Sequence, residues 1–508
     1  MSTPDNDRRA FASRTPANEN PERVQYRRGF VTRHQVSGWR FVMRRIASGV
    51  ALHDTRMLVD PLRTQSRSVL VGALVLITGL AGCFVFSLIR PGGVAGNDAI
   101  LADRTTSALY VRLGDAVHPV LNLTSARLIA GRPDNPTQVK TSEIDQFPRG
   151  NLLGIPGAPE RMVQNTTRDA DWTVCDGVSG PASGVTLIAG ALTDGGERAK
   201  PLGANDAVLV TTPTGPSAGT WLLWDGRRSR IDLNNRAVTT ALGLGAVPPP
   251  ARPIAPGLFN VIPEAPALNP PAVANAGEPP RYPLPVAAPL GAVVAAYAAD
   301  GTLRHYAVLA DGLQPISPVL AAIMRNTESY GLDQVPRLGA DDIASLPVST
   351  EIDADAYPAE PVSLIDADRA PLTCARWVRP ADATGADIEL RSGVTLPVAD
   401  GLRTVPLVSA GAGSTADQVV LTPGLGYLVQ SSGGAYFWLS DTGVRYGLDE
   451  DADDKAISAL GLTEPAVPIP WSLLSQFAPG PTLSRADALL AHDGLAADPR
   501  PAVIRENP

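Results

Sequence analysis

The rhythm of apolar and polar positions changes sharply along the first hundred residues. The opening stretch, MSTPDNDRRAFASRTPANENPERVQYRRGF, is polar without a sustained period and is predicted to be a disordered tail. From Thr32 a helical rhythm begins: Val36, Trp39, Met43, Ile46 and Val50 fall on one face, and Thr32 with Gln35 reads as a capping box. Arg40, Arg44 and Arg45 occupy other sides of this basic amphipathic helix, which is predicted to run to Asp60-Pro61, where proline cannot continue it. Val69 to Ile89 then carries no charge, long enough to cross a bilayer core of roughly 30 Å. This stretch starts late for a secretory signal and meets Arg90-Pro91 with no A-x-A cleavage site, so a retained transmembrane helix is expected.

Beyond a glycine-rich hinge the pattern becomes short apolar runs punctuated by turn residues. A strand, an Asp-Gly or similar turn, a second strand and a helix-like stretch occur at Tyr110 to Gly131, Trp221 to Gly245, Tyr306 to Arg325 and Tyr436 to Leu462. A second echo, an apolar run leading into prolines, appears as LLGIPGAP from Leu152, LFNVIPEAP from Leu258 and LLSQFAPGP from Leu473. The irregular spacing favours separate α+β modules over a tight solenoid.

Charge divides the chain. Residues 1 to 68 hold thirteen Arg against six Asp or Glu, about +7, so a net charge of −8 leaves about −15 on the remainder. An acidic main body lacks the basic stripe that nucleic acid requires. The arginine-rich leader favours a cytoplasmic N-terminus and an outer C-terminal domain. In that outer domain Cys175 and Cys374 meet an oxidising compartment, and a Cys175 to Cys374 disulfide is predicted, with two separate buried thiols as the alternative. The bridge would close a loop worth on the order of 5 kcal/mol on the chain-entropy account. It would join the segments enclosing the middle repeats into a central module with strands at Gly184 to Ala189 and Ala386 to Pro397, and bring the first and fourth repeats near one another.

Catalytic patterns are weak throughout. Lys140, Lys200 and Lys455 all fail the G-x-x-x-x-G-K-[ST] spacing of a phosphate loop. Gly215 to Gly219 matches G-x-S-x-G, yet a strand-like Trp221 to Trp224 follows where a hydrolase needs a helix, so a hairpin turn is expected. His118, His305 and His492 have no metal-ligand spacing, and the acidic run from Asp449 to Asp454 reads as the start of a helix rather than a calcium loop. No catalytic, cofactor or metal residue is therefore assigned, and no cofactor is expected.

TRHQVSGWRFVMRR from Thr32, HDTRMLVDPLRTQSRSVL from His53, LNLTSARLIAGRP from Leu121 and DQFPRGNLLGIPGAPERM from Asp145 together resemble EccB, the bitopic membrane component of actinobacterial type VII secretion systems. YRRGFVTRHQ looks most like the third ESX class, which is linked to iron and zinc acquisition. The resemblance implies a bitopic inner-membrane protein whose periplasmic α+β domain carries four repeats around a central β-rich, disulfide-bridged domain. It also implies assembly with EccC, EccD and EccE, self-association, contact with membrane lipid, and comparison with cell-wall-binding folds. The family is sometimes described as an ATPase, a label the missing phosphate loop does not support.

The expected divisions are a tail at 1–31, helix and linker at 32–68, the span at 69–89, and a hinge at 90–98. Repeat 1 follows at 99–168, the central domain at 169–203 and 363–415, repeat 2 at 204–284, repeat 3 at 285–362 and repeat 4 at 416–508. Trp39, Arg40, Met43, Arg44, Arg45 and Ile46 are expected to dock on a partner subunit or on the membrane surface.

Overall fold

The computed structural model describes residues 32–53, 61–89 and 93–495 except 181, 213, 214, 216, 246, 411–414 and 451–454, with backbone alone at 61–65 and 87–89. The expected tail at 1–31, the linker at 54–60, the first hinge residues and most of the acidic run lie outside these. Two compact units result, Met1–Gly92 and Gly93–Pro508.

In the first unit a helix spans Arg33–Leu52, and the Gln35 side chain accepts the Thr32 N–H at 3.0 Å, one limb of the expected capping box. It stops well short of Asp60-Pro61 because His53 turns left-handed, at φ 54°, and breaks the backbone ladder. Pro61 is no terminator. It opens a second helix, Pro61–Ile89, at the first position, where a missing N–H costs nothing. Ser66–Phe86 within it is long and apolar enough to cross a membrane, so the helix begins ahead of the expected 69–89 span.

The second unit contains four antiparallel three-stranded meanders. Their strands are Ile100–Asp103, Leu109–Leu113 and Ala116–Pro119; Asp206–Thr212, Gly219–Trp224 and Arg227–Arg230; Val293–Tyr297, Leu303–Val308 and Leu313–Ile316; and Tyr427–Ser431, Tyr436–Leu439 and Val444–Leu448. A helix follows each: Leu123–Ala130, Arg236–Ala241, Pro318–Thr327 and Ala456–Leu460. Side chains start the first three, with Asn122 accepting from Ser125 N–H, Asn235 from Ala237 and Val238, and Ser317 from Leu320. Gly131 and Gly461 close the first and last in left-handed conformation, which their missing Cβ allows.

After each helix the chain returns parallel to the first strand, at Thr137–Val139, Arg252–Pro253, Arg337 and Val467–Ile469. A short helix then leads to a segment parallel to the third strand, pairing Arg149 with Val117, Glu264 with Arg228, Val348 with Leu313, and Ala478 with Val444. This corrects the expected echo. In the first meander the residues in that place are Ile144 to Pro148, not Leu152 to Pro159, and Ile343 to Pro347 fills it in the third. Leu152–Leu153 instead pairs with Ala491–His492.

A seven-stranded sheet lies at the centre, in the order Val405–Pro406, Gln418–Val420, Gly184–Ala189, Ala170–Gly177, Leu372–Arg379, Asp387–Gly393 and Lys200–Pro201. Its two middle strands pair antiparallel from Leu372 with Gly177 to Arg379 with Ala170, placing Cys374 directly opposite Cys175. These cysteines form the disulfide, 199 positions apart along the chain. The first and fourth meanders share one apolar core through Leu128, Ile129, Leu460 and Leu483. The second and third share another through Val238, Leu242, Val319 and Ile323. The short helices of the second and fourth meanders plug the central sheet with Leu258, Phe259, Leu473 and Leu474.

One buried ion pair bolts the second meander to this sheet. The Arg252 guanidinium donates to Asp176 Oδ2 at 3.2 Å, to Asp176 O at 3.0 Å, and to Thr373 Oγ1 at 2.8 Å, while Ala255 N–H donates to the same Asp176 oxygen. Burial pushes the Asp176 carboxyl above its ordinary range and the Arg252 guanidinium below its own. Desolvation therefore outweighs the mutual attraction, and losing one partner is worse than losing both. Arg252→Met should destabilise the protein by about 3–5 kcal/mol in chemical denaturation, and Arg252→Met with Asp176→Leu should recover most of that loss.

Candidate functional site

Two regions carry the residues singled out above. On the Arg33–Leu52 helix, at about 100° per residue, Val42, Ile46, Trp39, Val50, Met43 and Val36 share one arc. Trp39 is 65% exposed, Ile46 55% and Met43 46%, so this apolar face is uncovered. Arg33, Arg40 and Arg44 line one flank of the arc, while Arg45 points to the far side together with Phe41 and Leu52. The helix has no acidic residue. Periodicity found the arc; it missed Val42 at its edge and Phe41 outside it.

The second region surrounds the disulfide. Cys175 and Cys374 are fully buried beneath Ala182, Ile188, Leu372 and Val420. On the same strand pair, Arg376 grips Asp171 through two bonds, Nε to Oδ1 at 2.9 Å and Nη2 to Oδ2 at 2.7 Å, and these bonds hold the guanidinium above its ordinary pKa. Arg391 on the next strand is buried and bonds Asp194, Glu389 and the Ala199 carbonyl. A cleft of about 540 Å³, lined by Arg198, Leu396, Val398 and Asp400 among others, opens beside this cluster. Sequence spacing could not have found these partners, because Asp171 and Asp194 lie about two hundred residues from their arginines.

The remaining candidates stay apart. Lys140 precedes the short helix Thr141–Ile144, Lys200 is in an edge strand, and Lys455 precedes Ala456–Leu460. Ser217 sits in the turn of an antiparallel hairpin, its carbonyl accepting from Thr212 Oγ1 and from Trp221 Nε1, as expected of a turn. Glu450 accepts the Ile457 N–H at 2.5 Å at the start of a helix, the role expected of the acidic run. Among the described residues no cluster of three His, Cys, Asp or Glu is placed to hold a metal. His118 bonds the Asn151 carbonyl and His492 the Gly154 carbonyl, while His305 lies in the third meander.

Fold and sequence together define a membrane protein with one candidate span, among the described residues, and a large β-rich domain. The family described as "Type VII secretion system ESX-1, transport TM domain B" (EccB) matches residues 28–497. The ESX-3 secretion system ATPase EccB3 of Mycolicibacterium smegmatis is 65% identical over 504 residues, 98% of this chain and 97% of that one. Its Mycobacterium tuberculosis counterpart is 62% identical over 524 residues, 98% of this chain and 96% of that one. Among solved structures, the intact ESX-5 inner membrane complex contains a chain 37% identical, with TM-score 0.73, covering 94% of this chain and 99% of that one. The EccB3 dimer from the ESX-3 core complex is 59% identical, with TM-score 0.71, covering 78% of this chain and all of that one. The chain belongs to the EccB family of type VII secretion membrane proteins, and it is more similar to the ESX-3 members than to the ESX-5 members, which are 37% identical or less.

His305 supplies a pH test of the packing. Burial and the nearby Arg325 charge lower its pKa, and its Nδ1 is buried without a hydrogen-bond partner among the described residues. A base with a lowered folded pKa favours the neutral form, so its stabilisation is present above about pH 6.5 and is lost as pH falls through the folded value. The melting temperature of the wild type should fall more steeply from pH 7 to pH 5 than that of His305→Gln.

Proposed function

We propose that this chain is a structural subunit of a type VII secretion complex in the inner membrane. Its arginine-rich N-terminus lies in the cytoplasm, and the unit from Gly93 onward lies in the periplasm. The carrying observation is the likeness over 78% of the chain to a protein solved as a dimer from an ESX-3 core complex. That likeness supports self-association, which on this reading runs through the outer domain, and EccC, EccD and EccE are the expected partners. On this reading the protein supports export of secreted proteins, with the ESX-3 likeness pointing toward iron and zinc acquisition.

The four meanders are, on the same reading, four copies of one βββα module arranged around the disulfide-bridged sheet, which together with the span makes the expected bitopic, multi-module α+β protein. Support comes from the shared order of strands and helices and from two arginines in like positions. Arg228 donates to the Phe259 and Ile262 carbonyls, and Arg445 donates to the Leu474, Ser475 and Phe477 carbonyls, each closing the short helix of its own meander. The boundaries at 99–168, 204–284 and 285–362 remain the proposed limits of the first three copies; the fourth, expected at 416–508, is proposed to begin after Gln418–Val420, which pairs in the central sheet.

The relatives carry "ATPase" in their names, and that activity is the competing reading. The separated lysines favour the structural one. Full-length protein extracted gently from membranes should run as a complex containing more than one copy of this chain together with EccC-, EccD- and EccE-like subunits by native mass determination. A monomer without those subunits would overturn the reading, and ATP turnover by the purified chain above a buffer blank would revive the competitor.

A further inference from the structure

We infer that the loop from Val398 to Leu402 is a lid on the Cys175 to Cys374 bond, and that outside thiols or disulfides exchange with this pair when the lid opens, while the sheet stays folded. The inference rests on the disulfide and not on the secretion assignment.

Position comes first. Both cysteines are fully buried on the paired middle strands, in a cluster that includes Ala182. Leu396 and Val398 pack against that cluster, and these same three residues line the cleft of about 540 Å³. Side chains that cover the disulfide cluster on one side therefore face the cleft on the other.

The two halves of the cover are held unequally. Residues 194 to 199 are pinned by Arg391, which is buried and bonds Asp194 and the Ala199 carbonyl. Separating such a buried charge from its partners costs about a hundredfold or more. Val398 to Leu402 is tied chiefly by Arg198, whose Nε donates to the Val398 carbonyl at 3.0 Å and whose Nη2 pairs with Asp400. The Asp400 side chain is 97% exposed, and an ion pair this open to water is worth at most about fivefold. The backbone adds little. Thr193 N–H donates to the Pro397 carbonyl, but beyond it the backbone bonds made from Val398 to Leu402 reach only Leu396 and Ala399 among the described residues. A loop so loosely tied opens at a lower free energy than the strands beneath it.

Exchange through the open lid needs a reagent that carries a disulfide or a dithiol, either as a small molecule or on a protein. In the oxidising direction one thiolate of the pair attacks the reagent's disulfide, which forms a mixed disulfide and releases one reagent thiolate. The second cysteine thiolate then attacks the protein sulfur of the mixed bond and releases the other. Two electrons and two protons pass from the pair to the reagent, which ends as a dithiol. Reduction runs the same steps backward.

The test follows reduction of the full chain in nanodiscs by dithiothreitol. New thiols are capped with iodoacetamide and read by peptide mass at Cys175 and Cys374, apart from the free Cys83. The wild-type rate should be proportional to dithiothreitol and almost flat in low urea, because a small loop exposes little surface when it opens. Asp400→Asn should raise the rate about two- to fivefold. Arg198→Gln should raise it about tenfold or more, since the bond to the Val398 carbonyl is lost as well. Ile262→Val, in the core on the other face of the central sheet, weakens the unit without touching the lid and should leave the rate unchanged. In a second series thioredoxin replaces dithiothreitol. A rate that again depends on Asp400 and Arg198 identifies a protein oxidoreductase as a partner that the open lid admits, whereas a response to dithiothreitol alone identifies small thiols. The inference is overturned if the rate climbs with urea along the slope of global unfolding, if Ile262→Val speeds reduction as much as the lid variants do, or if the lid variants react like the wild type.

Discussion

The unit from Gly93 onward depends on one antiparallel pairing, that of Ala170–Gly177 with Leu372–Arg379. These strands come from segments about two hundred residues apart, and the whole course of the second and third meanders runs between them. Bringing such distant segments together costs loop-closure entropy that local contacts cannot offset. The Cys175 to Cys374 bond removes most of that cost from the unfolded chain, and the Asp171 to Arg376 bonds hold the same register. With the pair in place, Gly184–Ala189 and Asp387–Gly393 add on either side, and the sheet becomes a wall on which the other parts rest.

That wall explains why the meanders sit in two pairs. A three-stranded sheet with one short helix buries too little apolar surface to be stable alone, so each packs its helix against another. The first and fourth meanders, on the two outer flanks of the central segments, share Leu128 and Leu460 in one core; the second and third, enclosed between those segments, share Val238 and Ile323 in another. Phe259 and Leu474 carry the second and fourth meanders onto the central sheet, and the Arg252 to Asp176 pair adds a polar fastening at the same junction.

Much of the architecture was legible along the chain because it rests on local patterns. The charge-free run, the helical arc around Trp39 and the turn-bounded strands each depend on residues a few positions apart. Where the reading slipped, the deciding contact was distant or a backbone detail. The first strand of each meander was missed because short apolar runs such as Ile100 to Ala102 and Val293 to Ala296 lack alternation when both faces are buried. The helix before the span ends sooner than its periodicity implies because His53 turns left-handed, a conformation that histidine favours only weakly and that leaves no mark on the apolar pattern. The echo at Leu152 was misplaced because a leucine pair before proline looks alike whether it follows a short helix or pairs with Ala491–His492.

The amino-acid sequence by itself determined which stretch is apolar enough for a membrane, which helix carries a basic and an apolar face, and which cysteines were free to meet. Those properties follow from hydrophobicity, helical period and charge, which act over a few residues. Only the tertiary structure decided that Arg252 is buried against Asp176, that Arg391 meets Asp194, and that the four meanders couple first with fourth and second with third. Those choices depend on which surfaces can be desolvated together, a property of the whole packed chain that no local pattern encodes.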